Sequence, residues 1–153
     1  MERFSIHVDG PPIERSQSGQ FLGGIFVQLG DTCFPDPEWT DFVVIILAWW
    51  CDAFAATRDV ARGQLQFMDG PFLVRLTKND KRASEIEVTL VRETSGSPKV
   101  MMRGVVEQSE VERQLISACR AALAQASAID PNDRFVVLLR EKLSALDSGF
   151  EAT

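Results

Sequence analysis

The chain has 153 residues, 45% of them hydrophobic and 25% charged, with a formal net charge of -6 and a pI near 4.8. That length and balance describe one globular domain spanning residues 1–153 and exclude disordered and fibrous classes. The acidic charge argues against nucleic acid as a partner, since a phosphate backbone calls for a basic face, and it favours a cationic protein instead.

The N-terminus, MERFSIHVDG, has no apolar run and no small-residue cleavage site, so a cytoplasmic location is expected. Its RFSIHV segment alternates Phe4, Ile6 and Val8 against Ser5 and His7, the period-two pattern of a half-buried strand that ends at Asp9-Gly10-Pro11-Pro12. Residues 11–20 are polar and read as a mobile loop. FLGGIFVQL follows as a second strand, with Gly23-Gly24 marking a bulge or a close backbone approach.

DPEWTDFVVIILAWWCDAFAATRD carries a helix start signal: Asp36 as cap, Pro37 at the first helical position and Glu38 in the first turn. Its unbroken apolar run, Phe42 to Cys51, is only about half the roughly 20 residues that span a bilayer, so no membrane segment is expected. At about 100° per residue, Trp39, Val43, Ile46, Trp50 and Phe54 fall on one side, and Asp41, Asp52 and Asp59 along the other. A helix with so wide an apolar arc belongs at the centre of the core.

QLQFM and FLVRLTK flank Asp69-Gly70-Pro71 and read as a hairpin over residues 64–78. SEIEVTLVRE and the segment from Val100 to Glu107 extend it to a four-stranded antiparallel meander, with Glu85 and Glu87 on the exposed side of their strand. Val111, Leu115, Cys119 and Leu123 recur at helical spacing. Asp130-Pro131-Asn132-Asp133 ends that helix and caps a last one, FVVLLREKLSAL, with residues 147–153 expected to fray. The fold class is therefore α+β: a mostly antiparallel sheet of about six strands packed on a central apolar helix, with two C-terminal helices.

Candidate chemistry is sparse. His7, the single histidine, reads as a general base or simply as a strand residue, and Cys33 in GDTCFPDP as a nucleophile near a helix start or as a small apolar residue. Cys33, Cys51 and Cys119 are odd in number, widely spaced and free of any CxxC pattern, which points to reduced thiols and to neither a disulfide framework nor a zinc site. No phosphate-binding glycine loop, GxSxG or HExxH pattern is present, so neither a cofactor nor a metal is expected and the chain does not read as an enzyme. Asp41, Asp52 and Asp59 are too far apart along a helix to act as a catalytic dyad. They read as a solvated face or as a docking surface for a basic partner, joined by Glu85 and Glu87, with Trp49, nearer the flank than Trp50, as a core residue or as an aromatic anchor.

FPDPEWTDFVVIILAWW, followed by the strand pair around FMDGPFLVRL, resembles small bacterial immunity proteins that accompany polymorphic or contact-dependent toxins. The likeness covers residues 34–78. It implies a cytoplasmic inhibitor with no chemistry of its own, acidic because many toxin nucleases are basic, and it assigns no residue a role. Two other readings stay open at this point: a secretion-chaperone-like homodimer that binds an effector segment, and a small thiol enzyme using Cys33 and His7.

Overall fold

The computed structural model describes residues 1–151, with side chains described through Ser148. In chain order the elements are β1 (Phe4–His7), β2 (Glu14–Arg15), β3 (Phe21–Gly24), β4 (Phe26–Leu29), β5 (Thr32–Phe34), β6 (Thr40–Asp41), α1 (Val43–Val60), β7 (Arg62–Gln66), β8 (Phe72–Lys78), β9 (Glu85–Thr94), β10 (Ser97–Glu107), α2 (Gln108–Ile129) and α3 (Arg134–Glu151). The α+β class, the antiparallel pairing, the central helix and the two C-terminal helices agree with the sequence. No described helix is long and apolar enough to cross a membrane.

The meander forms as its alternation predicts, in the order β10-β9-β8-β7. One face of this sheet carries Leu65, Val74, Leu76, Val88 and Leu90, all fully buried, and packs on α1. The approach is close at Gly63, where an added Cβ would lie 2.1 Å from the Thr57 hydroxyl and 2.8 Å from the Ala53 carbonyl oxygen. Trp50 sits in the middle of this layer and donates its indole N–H to the Gln66 carbonyl at 2.8 Å, so its one polar atom is satisfied inside the core.

The strands outside the meander are shorter and more numerous than expected. In place of about six strands there are ten among the described residues, the other six divided between the sheets β1-β4-β5 and β2-β3-β6. The chain leaves one small sheet for the other at Ile25, which splits the run FLGGIFVQL into two strands. Gly23 and Gly24 do mark a close approach: a Cβ on Gly23 would meet Ile13, and one on Gly24 would meet Pro11.

Residues 11–20, read as a mobile loop, are tied down at several points. Ile13 is buried and its backbone N–H donates to Gln125 Oε1 at 3.0 Å, while Arg15 reaches Asp130 at 3.0 Å and Asp133 at 2.8 Å. Polar composition did not reveal these anchors because their partners lie more than a hundred residues away.

The main helix begins later than its start signal. Asp36 caps a tight turn, accepting from Glu38 N at 2.8 Å and, through its carbonyl, from Trp39 N at 3.2 Å. Thr40 and Asp41 then pair with Gly24 and Gly23 as β6, and α1 starts only at Val43. Pairing with a strand distant in sequence overrides the local cap. Trp39 therefore lies outside the helix, edge-on to Phe67 and Phe72 in an aromatic cluster that also holds Phe34 and Trp50. At the other end α3 continues through Glu151; Ala152 and Thr153, the last of the stretch expected to fray, lie outside the described residues.

Candidate docking face on the central helix

On α1 the buried positions are Val43, Val44, Ile46, Leu47, Ala48, Trp50, Cys51, Phe54 and Thr57. At about 100° per residue these occupy more than half the circumference, and the remaining arc holds Ile45, Trp49, Asp52, Ala53, Ala56, Asp59 and Val60. Within that arc the two carboxylates lie on one side, and Ile45, Ala56, Trp49 and Val60 on the other. Trp49 is 42% exposed and Val60 67% exposed, so a large indole and, about 16 Å further along the helix, a branched aliphatic chain face water on one strip with Ile45 and Ala56. An exposed tryptophan rimmed by charge is the usual composition of an interface anchor.

The five carboxylates expected to form a patch do not share one face. Asp41 is not on the helix: it is 1% exposed in β6, where its carboxylate accepts from the Trp39 indole at 3.2 Å, from Asp69 N at 3.1 Å and from Phe42 N at 2.8 Å. Its task is to join the turn before α1 to the β7–β8 turn. Glu85 is also buried, within reach of Arg82 at 3.3 Å and Asn79 at 3.4 Å. Glu87 alternates with Val88, which faces α1, so Glu87 lies on the opposite side of the sheet, 3.6 Å from Arg103. Asp52 keeps its place on the outer arc but is paired with Lys142 of α3 at 3.0 Å. Asp59 is exposed, with no cation within ion-pair distance among the described residues. Trp49, Asp52 and Asp59 thus share one arc of α1, spread over about 15 Å of its length; Asp41, Glu85 and Glu87 are removed from them by burial and by the sheet.

His7 and Cys33 are not brought together. Ser5 and His7 lie opposite Gln28 and Phe26 across β1 and β4, and Cys33 lies opposite Gln28 on β5. Two strand spacings and one residue pair along the strand put their Cα atoms about 12 Å apart. The His7 ring is stacked on Phe26 at 4.6 Å, and its Nε2 is 2.8 Å from the Ser5 hydroxyl, so it is held along its own strand. Direct proton transfer between imidazole and thiol needs hydrogen-bond contact, which this geometry does not provide. No group of three or more His, Cys, Asp or Glu side chains is placed to hold a metal among the described residues.

An open cleft of about 460 Å³ lies between the N-terminus of α2 and the loop before β9, lined by Arg58, Ser84, Glu107, Gln108 and Glu112. Its buried carboxylate, Glu112, is engaged by Arg58 across the α1–α2 contact, and the hydroxyl of Ser109, also in the lining, faces Arg113 at 3.5 Å. A second apolar exposure runs along β10, where Val100, Met101 and Val105 are between 37% and 47% exposed at the edge of the meander. That edge is blunted by Pro98, Lys99 and Arg103, by a register shift between Val100 and Met102, and by the Glu2 N–H bonded to the Val105 carbonyl at 2.9 Å. These are the devices by which natural edges avoid further strand pairing.

The apolar strip beside Trp49 was legible in principle. Ile45, Ala56 and Val60 recur with Trp49 at helical spacing, but the unbroken run FVVIILAWW hid which member faced outward. In comparisons with known proteins, no family model, no curated protein and no solved structure matches this chain.

Proposed function

We propose that this chain is a cytoplasmic, immunity-type binding protein that neutralises a protein toxin by covering it, without chemistry of its own. The docking surface is the outer arc of α1, with Trp49 as the anchor. The observation that carries this reading is the 42% exposure of Trp49 in the middle of a helix whose other large aromatics, Trp50 and Phe54, are buried. Leaving an indole in water forgoes the stabilisation of burying it, roughly 25 cal/mol per Å² of apolar surface, which a partner that covers it recovers. Asp59 on the same arc and the net charge of -6 favour a basic surface and speed its approach.

The test is a pull-down with the tagged protein from its own cells at low and moderate salt, repeated with Trp49→Ala and Asp59→Lys. A single basic, stoichiometric partner is expected, lost with Trp49→Ala and weakened by Asp59→Lys and by salt. Capture of the same partner by both variants would sink the α1 docking face. A wild-type protein that retains no partner under either salt condition would sink the inhibitor reading itself.

A further inference from the structure

The geometry points to Cys51 and Cys119 as a covalent modification site: an intramolecular disulfide that joins α1 to α2, formed by exchange with a small-molecule disulfide. Their Sγ atoms are 3.6 Å apart, in direct contact, although the residues are 68 positions apart in sequence. Both are buried, Cys51 at 3% and Cys119 at 0% exposure.

The contact belongs to a seam with a fixed register. Seven residues after Cys51 on α1 stands Arg58, and seven before Cys119 on α2 stands Glu112, which Arg58 engages. The two contacts therefore define one antiparallel helix pair, sampled two turns apart. Ala48 and Ala122, both buried, lie one turn to the other side of the thiols and let the helices approach closely. With the register held at Arg58–Glu112, the sulfurs need to close by only about 1.5 Å to reach the bonded distance of roughly 2.05 Å. Cys33 does not compete, because it lies half-buried on β5 in a separate sheet.

The environment also sets the rate. The hydrogen bond with Cys51, and then burial, hold the Cys119 thiol well above its ordinary range, so it stays protonated at neutral pH. Exchange thus proceeds when the seam opens. The Cys51 thiol, slightly the more accessible, loses its proton and attacks one sulfur of the oxidant disulfide, releasing one thiol and leaving a mixed disulfide. Deprotonated Cys119 then attacks the Cys51 sulfur and releases the second thiol. Two protein thiols are oxidised to one disulfide, and the oxidant leaves as two thiols carrying the two electrons and the two protons.

The experiment uses the full chain with Cys33→Ser, incubated with oxidised glutathione in buffer and at a urea concentration that opens a small fraction of the molecules, then quenched with N-ethylmaleimide. The expected product has lost two hydrogens, takes up no maleimide and yields one peptide pair linked through Cys51 and Cys119. Its unfolding equilibrium constant in urea should fall on the order of 100-fold, and dithiothreitol should reverse this, because a loop of this length constrains the unfolded chain strongly. A stable mixed glutathione adduct, two alkylated thiols after prolonged exposure, or a linked protein that unfolds at lower urea than the reduced one would each overturn the assignment. If Cys33→Ser does not fold, the wild-type chain serves with peptide mapping, and linkage through Cys33 counts against the proposal.

Discussion

The side-chain oxygen of Gln114 accepts the backbone N–H of Ile6 at 3.0 Å, so a glutamine on α2 closes the outer edge of β1. One helix face repeats the device further along, where Gln125 takes the Ile13 N–H at 3.0 Å. A sheet edge beside a helix leaves main-chain donors without strand partners, and here two amide side chains supply what a further strand would have supplied.

Replacing Gln114 with Leu leaves the Ile6 N–H beside an apolar side chain. The expected loss is about 1–2 kcal/mol of folding stability, read as a lower urea midpoint with an unchanged slope. The same substitution at Arg113, an exposed neighbour on α2, should be close to neutral.

Gly63→Ala tests the close approach of α1 to the meander. The new methyl would collide with the Thr57 hydroxyl and with the Ala53 carbonyl oxygen, and the carbonyl cannot move without the helix. A destabilisation of about 1–3 kcal/mol is expected in urea titration. Thr57→Ser keeps the hydroxyl and should not rescue it, since the backbone contact persists.

Asp41→Ala removes a buried acceptor that three donors share and leaves the Trp39 indole N–H and the Asp69 N–H, whose bonds to it are partly buried, without it. The expected cost is about 2–4 kcal/mol, as for a buried charged acceptor. Asp41→Asn keeps one acceptor oxygen and should cost less. Equal losses in calorimetry for the two variants would contradict the role assigned to this carboxylate.

The contact of Arg15 with Asp130 carries a pH signature. The Arg15 guanidinium, by hydrogen bonding first, holds the Asp130 carboxyl below its ordinary range. A carboxyl whose folded pKa is depressed adds stability above its unfolded pKa, and this is lost as pH falls through the folded value. Arg15→Gln should therefore lower the thermal midpoint slightly at neutral pH, and the difference from wild type should close on titration below the usual carboxylate range. The pair is exposed, so the effect is small and should also shrink in high salt.

Part of this molecule is written locally. Alternation in FLVRLTK and EIEVTLVRE records which side of a strand faces apolar neighbours, so the strands of the β7–β10 meander could be read, although Glu85 and Thr89, on the side read as exposed, are buried. The 3.6-residue period of Val111, Leu115, Ala118 and Ala122 did the same for α2. Helix start signals are local too, but they only bias the chain. At Asp36 the bias lost to the pairing of Thr40 and Asp41 with Gly24 and Gly23, which also took Asp41 off the helix and into the core.

The amino-acid order by itself determined the fold class, the order of the long elements and an acidic surface charge, because burial periodicity and composition are sums over near neighbours. Tertiary structure alone decided that Asp41 and Glu85 are internal acceptors, that Trp49 is left facing water, that His7 and Cys33 stay apart and that Cys51 touches Cys119. Each of these depends on groups many residues away, whose meeting is set by how helices and sheets pack and not by any pattern along the chain.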